Sequence, residues 1–142
     1  MTLTKEMTRE QKISFPSNSG NIVIVEKLIN DICSSYEVSE DYYGNILVAV
    51  TEAVNNAIQH GNKQDPAKKV DVEYKANDNQ ISFLVHDQGD GFDFATLPDP
   101  TNPENIEKPS GRGVFLMRHL ADKVEFTDSG RTVLLDFSIS PN

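Results

Sequence analysis

The sequence predicts a single α+β domain, a two-layer sandwich in which a mixed, mostly antiparallel sheet carries its helices on one face. Helical and strand-like periodicities follow one another in the order β-α-α-β-β-loop-α-β-β, without the strict alternation that predicts a parallel sheet. The length of 142 residues, with 37% hydrophobic content, suits one domain with its own core. We therefore treat residues 1–142 as one unit.

The first half of the chain predicts one strand and two helices. Lys12–Phe15 reads as a short strand, and residues 1–11 before it are expected to form a flexible N-terminus. Apolar residues at helical spacing predict a helix over about 20–33. A second helix is expected to begin after Ser39, an N-cap residue, and to close at Gly61.

The second half predicts a hairpin, a long loop, a helix and two strands. Val70–Ala76 and Ile81–Val85 alternate apolar and polar residues around a turn. Residues 95–110 hold four prolines and few apolar residues, and a structureless stretch of this length is usually functional or disordered. We interpret it as a lid. The last helix and strands are expected at 114–120, 123–126 and 133–139.

Composition excludes several classes of function. Thirteen basic against 22 acidic residues give a net charge of -9, which disfavours nucleic-acid binding. This acidity suits a basic protein partner, although good solvation is the commoner explanation. The single cysteine, Cys33, permits no intrachain disulfide, and no apolar run reaches the roughly 20 residues that span a bilayer. A cytoplasmic location without membrane insertion is the simplest expectation.

The first candidate site lies on the second helix, where Glu52 and Asn56 are spaced i and i+4 and share one side. Asn55 and Gln59 extend this polar arc, which also fits an exposed helix face. The arc lacks lysine and arginine, however, and consecutive asparagines are poor helix formers, so we expect it to border a cavity or ligand. An amide oxygen suits Mg²⁺ and a carboxylate can accept a hydroxyl proton, which favours phosphoryl transfer.

Two glycine-rich segments are weaker signals. Asp87 stands at the end of a strand, before Gly89 and Gly91, where a carboxylate can accept a hydrogen bond from an exocyclic amine such as that of adenine. Taken alone, this segment is more typical of a turn. Ser110–Val114 opens a helix whose N–H groups and dipole attract anions, and Arg112 and Lys108 carry compensating charge. A capping turn is the more frequent explanation of such a pattern.

Together, in this order, these elements resemble the N, G1 and G2 boxes of the histidine-kinase-like ATPase superfamily, over about residues 13–139. The compact length, the Glu52-x-x-x-Asn56 and His60-Gly61 pattern, and the run Gly111-Arg112-Gly113-Val114-Phe115-Leu116-Met117 look most like bacterial anti-sigma-factor serine kinases. The resemblance implies ATP and Mg²⁺ as cofactors.

The resemblance also implies a role for each motif residue. Glu52 would be the catalytic base and Asn56 the Mg²⁺ ligand. Asp87 would bind the adenine amino group, in a pocket shaped by Gly89 and Gly91. The remaining nucleotide contacts would come from Lys108, Gly111, Arg112, Gly113 and Thr132. Thr132 belongs to a Gly-x-Thr element that equally resembles a hairpin turn.

Members of the resembled family phosphorylate a serine of an anti-anti-sigma protein and, in the other partner state, sequester a sigma factor, usually as homodimers. The resemblance therefore implies these partners and a homodimer. Two alternatives stay open: a nucleotide-dependent binding module with little catalysis, and a slow ATPase related to sensor histidine kinases.

Overall fold

The structure is a computed structural model that describes residues 9–90 and 109–139, with only the helical backbone at 109–112. The described helices and strands follow the predicted order. They are β1 (Arg9–Pro16), α1 (Ile22–Ser35), α2 (Glu40–Asn56), β2 (Lys69–Ala76), β3 (Gln80–His86), α3 (Pro109–Leu120), β4 (Lys123–Thr127) and β5 (Thr132–Ser138). A π-helical turn, Ala57–Gly61, continues α2, and short 3-10 turns lie at Ser19–Asn21 and Asp128–Gly130.

The strands form one sheet in the order β1-β2-β3-β5-β4, and the described pairings are all antiparallel. The predicted α+β class is confirmed, but the expected mixed character of the sheet is not found among these strands. Short turns force the β2–β3 and β4–β5 hairpins to be antiparallel. The directions of β1 beside β2 and of β3 beside β5 depend on long-range pairing, which local periodicity does not predict.

The core lies between one face of the sheet and the helices. Alternate sheet residues such as Val72, Phe83 and Leu135 are fully buried, and they belong to the same apolar cluster as Ile29 and Val50 of the helices. Helix α2 is central, because it contacts α1, α3, β3 and β5. Its C-terminal end is therefore held against both the sheet and α3. In the described ranges, no helix has the length and apolar character needed to cross a membrane.

Most predicted boundaries agree with the structure to within a few residues. Ser39 caps α2 as predicted, since its Oγ accepts a hydrogen bond from the Tyr42 amide at 3.4 Å. β1 begins at Arg9, so residues 9–11 belong to the strand and not to the expected flexible segment 1–11. Residues 1–8 lie outside the described part.

The start of α3 differs most from the prediction. The helix begins at Pro109, five residues before Val114, and proline suits the first helical position because no N–H donor is needed there. The expected lid therefore overlaps α3 at residues 109–110, while residues 95–108 lie outside the described chain. Gly111 and Gly113 are within the helix, although the regular helix was expected only from Val114, after them.

Candidate nucleotide site

A cavity of about 150 Å³ lies between the end of α2, the end of β3, α3 and the β4–β5 connection. Its apolar lining includes Ala57, Val85 and Met117. Asn56 and Asp87, which are 31 positions apart in the sequence, line this same cavity. An apolar pocket with a few convergent polar groups is the usual form of a small-molecule site.

Glu52 and Gly113 lie close to Asn56, which lines this cavity. A Cβ built on Gly113 would lie 2.8 Å from Asn56 Nδ2 and 3.2 Å from Glu52 Oε2. Because real Cβ atoms almost never approach within 3.0 Å, only glycine fits here without moving Asn56. The α3 backbone is thus brought against the two polar side chains of α2.

The polar arc of α2 divides into two parts. Asn55 Oδ1 accepts a hydrogen bond of 3.0 Å from Gln59 Nε2, and Gln59 is exposed. Glu52 and Asn56 are half-buried, and both approach Gly113. Within the predicted ligand-facing arc, Asn56 lines the cavity and Glu52 lies near it beside Gly113, whereas Asn55 and Gln59 bond to each other.

Asp87 also lines the cavity, immediately after β3, and is only 7% exposed. Its Oδ1 accepts a hydrogen bond of 2.8 Å from the Gly89 amide. Burial raises the pKa of this carboxyl above its ordinary value, against the lowering effects of the Gly89 bond and of the charges of His86 and Arg131. The carboxylate is therefore desolvated but held in a defined orientation.

Gly61 and Gly89 allow the backbone to approach Asp87 closely. A Cβ on Gly61 would lie 2.5 Å from Asp87 Oδ2, and a Cβ on Gly89 would overlap the Gly61 carbonyl oxygen. Gly89 was predicted as a pocket-shaping residue; it packs against Gly61 and Asp87, which both line the cavity, and its role stays a prediction. Gly61 was predicted only to close the helix, yet it also lines the cavity.

Comparison with known proteins identifies the family. The family described as "Histidine kinase-like ATPase domain" matches residues 15–137. The "Serine-protein kinase RsbW" of Bacillus licheniformis is 33% identical over 125 residues, covering 83% of this chain and 78% of that protein. The chain belongs to the RsbW serine-protein kinase family of histidine kinase-like ATPases. The predicted family resemblance is thus confirmed.

Other matches agree with this family. The "Serine-protein kinase RsbW" of Bacillus cereus (strain AH820) is 27% identical over 138 residues, covering 91% of this chain and 86% of that protein. The crystal structure of the RsbU and RsbW domains of a Mycobacterium tuberculosis protein aligns with a TM-score of 0.63 at 14% identity. That alignment covers 92% of this chain and 32% of the other, and it supports the fold.

In this RsbW family member, Asn62 is a structural part of the site to which the sequence analysis assigned no role. It is 1% exposed, and its Oδ1 accepts a hydrogen bond of 2.8 Å from the Gln88 amide, next to Asp87. Its Nδ2 donates to Ser17 Oγ at 2.7 Å and to the Lys69 carbonyl at 3.0 Å. In sequence, Gly61-Asn62 resembles any helix ending, so its only signal was its position after the Asn56 motif.

Thr132 is the predicted site residue that the structure places elsewhere. Its Oγ1 lies 2.6 Å from His86 Nδ1, and the two residues are paired across β3 and β5. Their neighbours Val85 and Val133 line the cavity, so Thr132 faces the opposite side of the sheet, because successive side chains of a strand alternate. Thr132 is not among the residues that line the cavity, whereas Arg131 is, and the nucleotide contact of Thr132 stays a prediction.

The remaining predicted residues cannot all be placed. Gly91 and Lys108 lie outside the described residues. Gly111 and Arg112 lie in the first turns of α3, where only the backbone is described.

The donor set at the α2 end fits a magnesium ion bound mainly through substrate. Mg²⁺ usually keeps several waters and takes one or two protein oxygens together with substrate phosphates. Asn56 Oδ1 and Glu52 Oε2 supply oxygens of this kind, at 3.3 and 3.2 Å from the same ideal Cβ position on Gly113. The described residues contain no group of three or more His, Cys, Asp or Glu that forms a complete metal site.

Proposed function

We propose that this chain is an ATP-dependent protein-serine kinase that binds Mg-ATP in the cavity between α2, β3 and α3 and acts as an anti-sigma factor. The family supports ATP binding and serine kinase activity. The observation that carries the proposal is the convergence of Asn56 and Asp87 on one cavity, with Gly113 against Asn56.

The adenine would bind at the Asp87 end. The apolar walls provided by Ala57, Val85 and Met117 suit a flat aromatic base, whose burial removes apolar surface from water. The Asp87 carboxylate, desolvated and oriented by Gly89, would accept a hydrogen bond from the exocyclic amine. A hydrogen bond to a charged acceptor inside a poorly solvated site contributes more than a neutral one.

The phosphates would bind at the other end, near the first turns of α3. The free N–H groups and positive dipole of a helix N-terminus attract anions, and Gly113, which has no Cβ, lets the α3 backbone lie close to Asn56 and Glu52. Asn56 would hold Mg²⁺, which when bound neutralises charge on the transferring phosphoryl group.

Glu52 would act as the catalytic base. Its carboxylate would accept the proton of a seryl hydroxyl while the seryl oxygen forms a bond to the γ-phosphorus and the bond to the ADP oxygen breaks. Its half-buried position, with Oε2 close to Gly113, supports this assignment because it places the carboxylate beside the expected phosphate site.

The partners follow from the family. We propose that the seryl acceptor belongs to an anti-anti-sigma protein, that a sigma factor is the alternative partner, and that the kinase works as a homodimer in the cytoplasm. The "Serine-protein kinase RsbW" relatives support a protein acceptor.

The decisive experiment separates ATP binding from phosphoryl transfer. Glu52→Ala should bind Mg-ATP in calorimetry as the wild type does, but should transfer no labelled phosphate to an anti-anti-sigma partner. Gln59→Ala, one of the surface pair on the same helix, is the matched control and should retain both properties.

Four results would contradict parts of the proposal. Unchanged transfer by Glu52→Ala removes the base assignment. Tight ATP binding by the wild type without any labelled protein supports a nucleotide-dependent binding module, and release of labelled phosphate to water alone supports a slow ATPase. Absence of magnesium-dependent ATP binding overturns the site itself.

A further inference from the structure

Arg131 connects the β4–β5 turn to the loop that carries Asp87. Its Nε donates a hydrogen bond of 2.7 Å to the Gly89 carbonyl oxygen, and its own carbonyl oxygen accepts one of 2.9 Å from the Asp87 amide. One residue thus holds the main chain on both sides of the Asp87 side chain. Arg131 also lines the cavity.

Arg131 is itself held in place. Its Nη1 lies 3.3 Å from Asp128 Oδ1 and donates to the Asp128 carbonyl oxygen at 3.2 Å, and the side chain is 33% exposed. Fixing a long side chain before binding removes an entropic cost that a free arginine would have at the moment of binding. Its guanidinium is therefore a preformed support for the loop.

The loop is held from a second direction by Asn62. The Gln88 amide donates to Asn62 Oδ1 at 2.8 Å, so the main chain is bonded at Asp87 and Gly89 through Arg131 and at Gln88 through Asn62. Asn62 is buried, at 1% exposure, whereas the Arg131 side chain is partly exposed. Arg131 is thus the contact that can be changed with the smaller effect on folding.

We propose that Arg131 is a positioning residue that sets the preference for adenine, by holding the Asp87 carboxylate where it meets the exocyclic amine of the base. This inference rests on the proposed nucleotide site. A carboxylate accepts a hydrogen bond from the 6-amino group of adenine but repels the 6-oxo group that inosine carries at the same place. Discrimination between these groups depends on where the carboxylate is held.

The positive charge of Arg131 favours recognition of adenine, as do the hydrogen bonds of Arg131 to the loop. The described groups with charge or titratable protons around Asp87 are His86 on β3, Asp128 and Arg131 in the β4–β5 turn, His60 in the π-helical turn, and Asp90 in the loop itself. Burial raises the pKa of Asp87, and the positive charge of Arg131 opposes that rise. The ionised form, which is the better acceptor, is thereby retained to lower pH.

The test measures dissociation constants of Mg-ATP and Mg-inosine triphosphate for the full chain and its variants between about pH 5 and pH 8. In Arg131→Gln the preference for ATP should fall roughly 5- to 30-fold, the range expected from the loss of one charge-assisted contact. The pH at which ATP affinity is half lost should rise. Arg131→Lys should lose part of the preference but keep the wild-type pH midpoint, because it retains the charge without the guanidinium geometry.

Arg9→Gln is the matched control, since it removes the same charge from β1, where Arg9 lies over the Tyr36 ring and away from the cavity. Its preference for ATP should change by less than about twofold, as for an ordinary surface substitution. Thermal melts of each variant confirm that the folded protein is being measured. If Arg131→Gln unfolds at the assay temperature, the preference measured for Arg131→Lys decides.

The outcomes distinguish this inference from the proposed function. An unchanged ratio of the two affinities and an unchanged pH midpoint in the Arg131 variants, with a wild type that prefers ATP, overturn the positioning role alone. An equal drop in affinity for both nucleotides also overturns it, since that result indicates a general structural role. A wild type that binds neither nucleotide overturns the proposed function first.

Discussion

The Asp87 carboxylate lies directly against the α-carbon of Gly61, so that a Cβ on Gly61 would lie 2.5 Å from both Asp87 Cγ and Oδ2. The two residues come from the π-helical turn after α2 and from the end of β3. Their contact joins the helix that carries Glu52 and Asn56 to the loop that would recognise the base. The Asp87 carboxylate thus packs directly against the chain that continues α2, whose Asn56 lines the same cavity.

Gly61→Ala is expected to displace the Asp87 carboxylate. The added methyl group has no space, and overpacking of this kind costs roughly 1 to 3 kcal/mol of folding free energy. ATP affinity should fall about tenfold or more, equivalent to at least about 1.4 kcal/mol. Denaturant unfolding and calorimetric titration with Mg-ATP measure the two effects.

Gly44→Ala is the control for Gly61→Ala. Gly44 lies within α2, and a Cβ there would meet nothing within 4 Å. The substitution should stabilise the protein by about 0.5 to 1 kcal/mol through helix propensity and leave ATP affinity unchanged. If the two variants had the same ATP affinity, the contact between Gly61 and Asp87 would have no role in binding.

Gly113→Ala should impair phosphoryl transfer more than folding. The new Cβ would require Asn56 Nδ2, 2.8 Å away, and Glu52 Oε2, 3.2 Å away, to shift, while alanine is the better helix former. Displacement of catalytic groups by about 1 Å can reduce a rate on the order of 100-fold. The measurement is the rate of transfer from saturating Mg-ATP to the protein acceptor. A variant with wild-type rate would show that this close approach is dispensable.

Asp87→Asn should be more stable than the wild type near neutral pH while binding ATP poorly. Because burial raises the pKa of Asp87, the folded state binds the proton more tightly than the unfolded state does. The wild type therefore loses stability as the pH rises from the ordinary carboxyl pKa through the raised one, and regains it on acidification. The asparagine side chain does not ionise, and its amide oxygen can still accept the hydrogen bond from the Gly89 amide.

Melting temperatures of wild type and Asp87→Asn, recorded from about pH 4 to pH 7, check this sign. The difference in favour of the variant should grow with pH across that window. A constant difference would mean that Asp87 titrates alike in folded and unfolded chains. ATP affinity of the wild type should fall on acidification through the same window, because the ionised carboxylate is the better acceptor.

Cys33 should be unreactive until the protein unfolds. The side chain is 5% exposed, and burial raises its pKa to about 11. At pH 8 about one thousandth of such a thiol is ionised, and the thiolate is the reactive form. Alkylation at pH 8 should therefore be slow in buffer and rapid in denaturant. Rapid labelling of the folded protein would contradict the buried placement of this helix face.

The sequence by itself determined the elements and the chemical character of the main motif. Periodicity predicted the order of the helices and strands, and the i, i+4 spacing predicted that Glu52 and Asn56 lie on one side of α2. Both predictions depend only on the local geometry of a helix or a strand. Asp87 and Gly89 were also predicted as site residues, since a strand end followed by glycines is a local signal. The specific combination of these motifs led to the correct family.

Only the tertiary structure decided which polar groups share the cavity and which do not. Asn62 meets Ser17, 45 positions away, and Arg131 meets Gly89, 42 positions away, while Thr132 faces the other side of the sheet. Such contacts depend on how the strands pair and on which face of the sheet each side chain lies. A shift of one residue in the pairing register moves every side chain of a strand to the opposite face of the sheet. Local spacing does not predict these pairings. The contacts by which Asn62 and Arg131 hold the loop around Asp87 are therefore visible only in the tertiary structure.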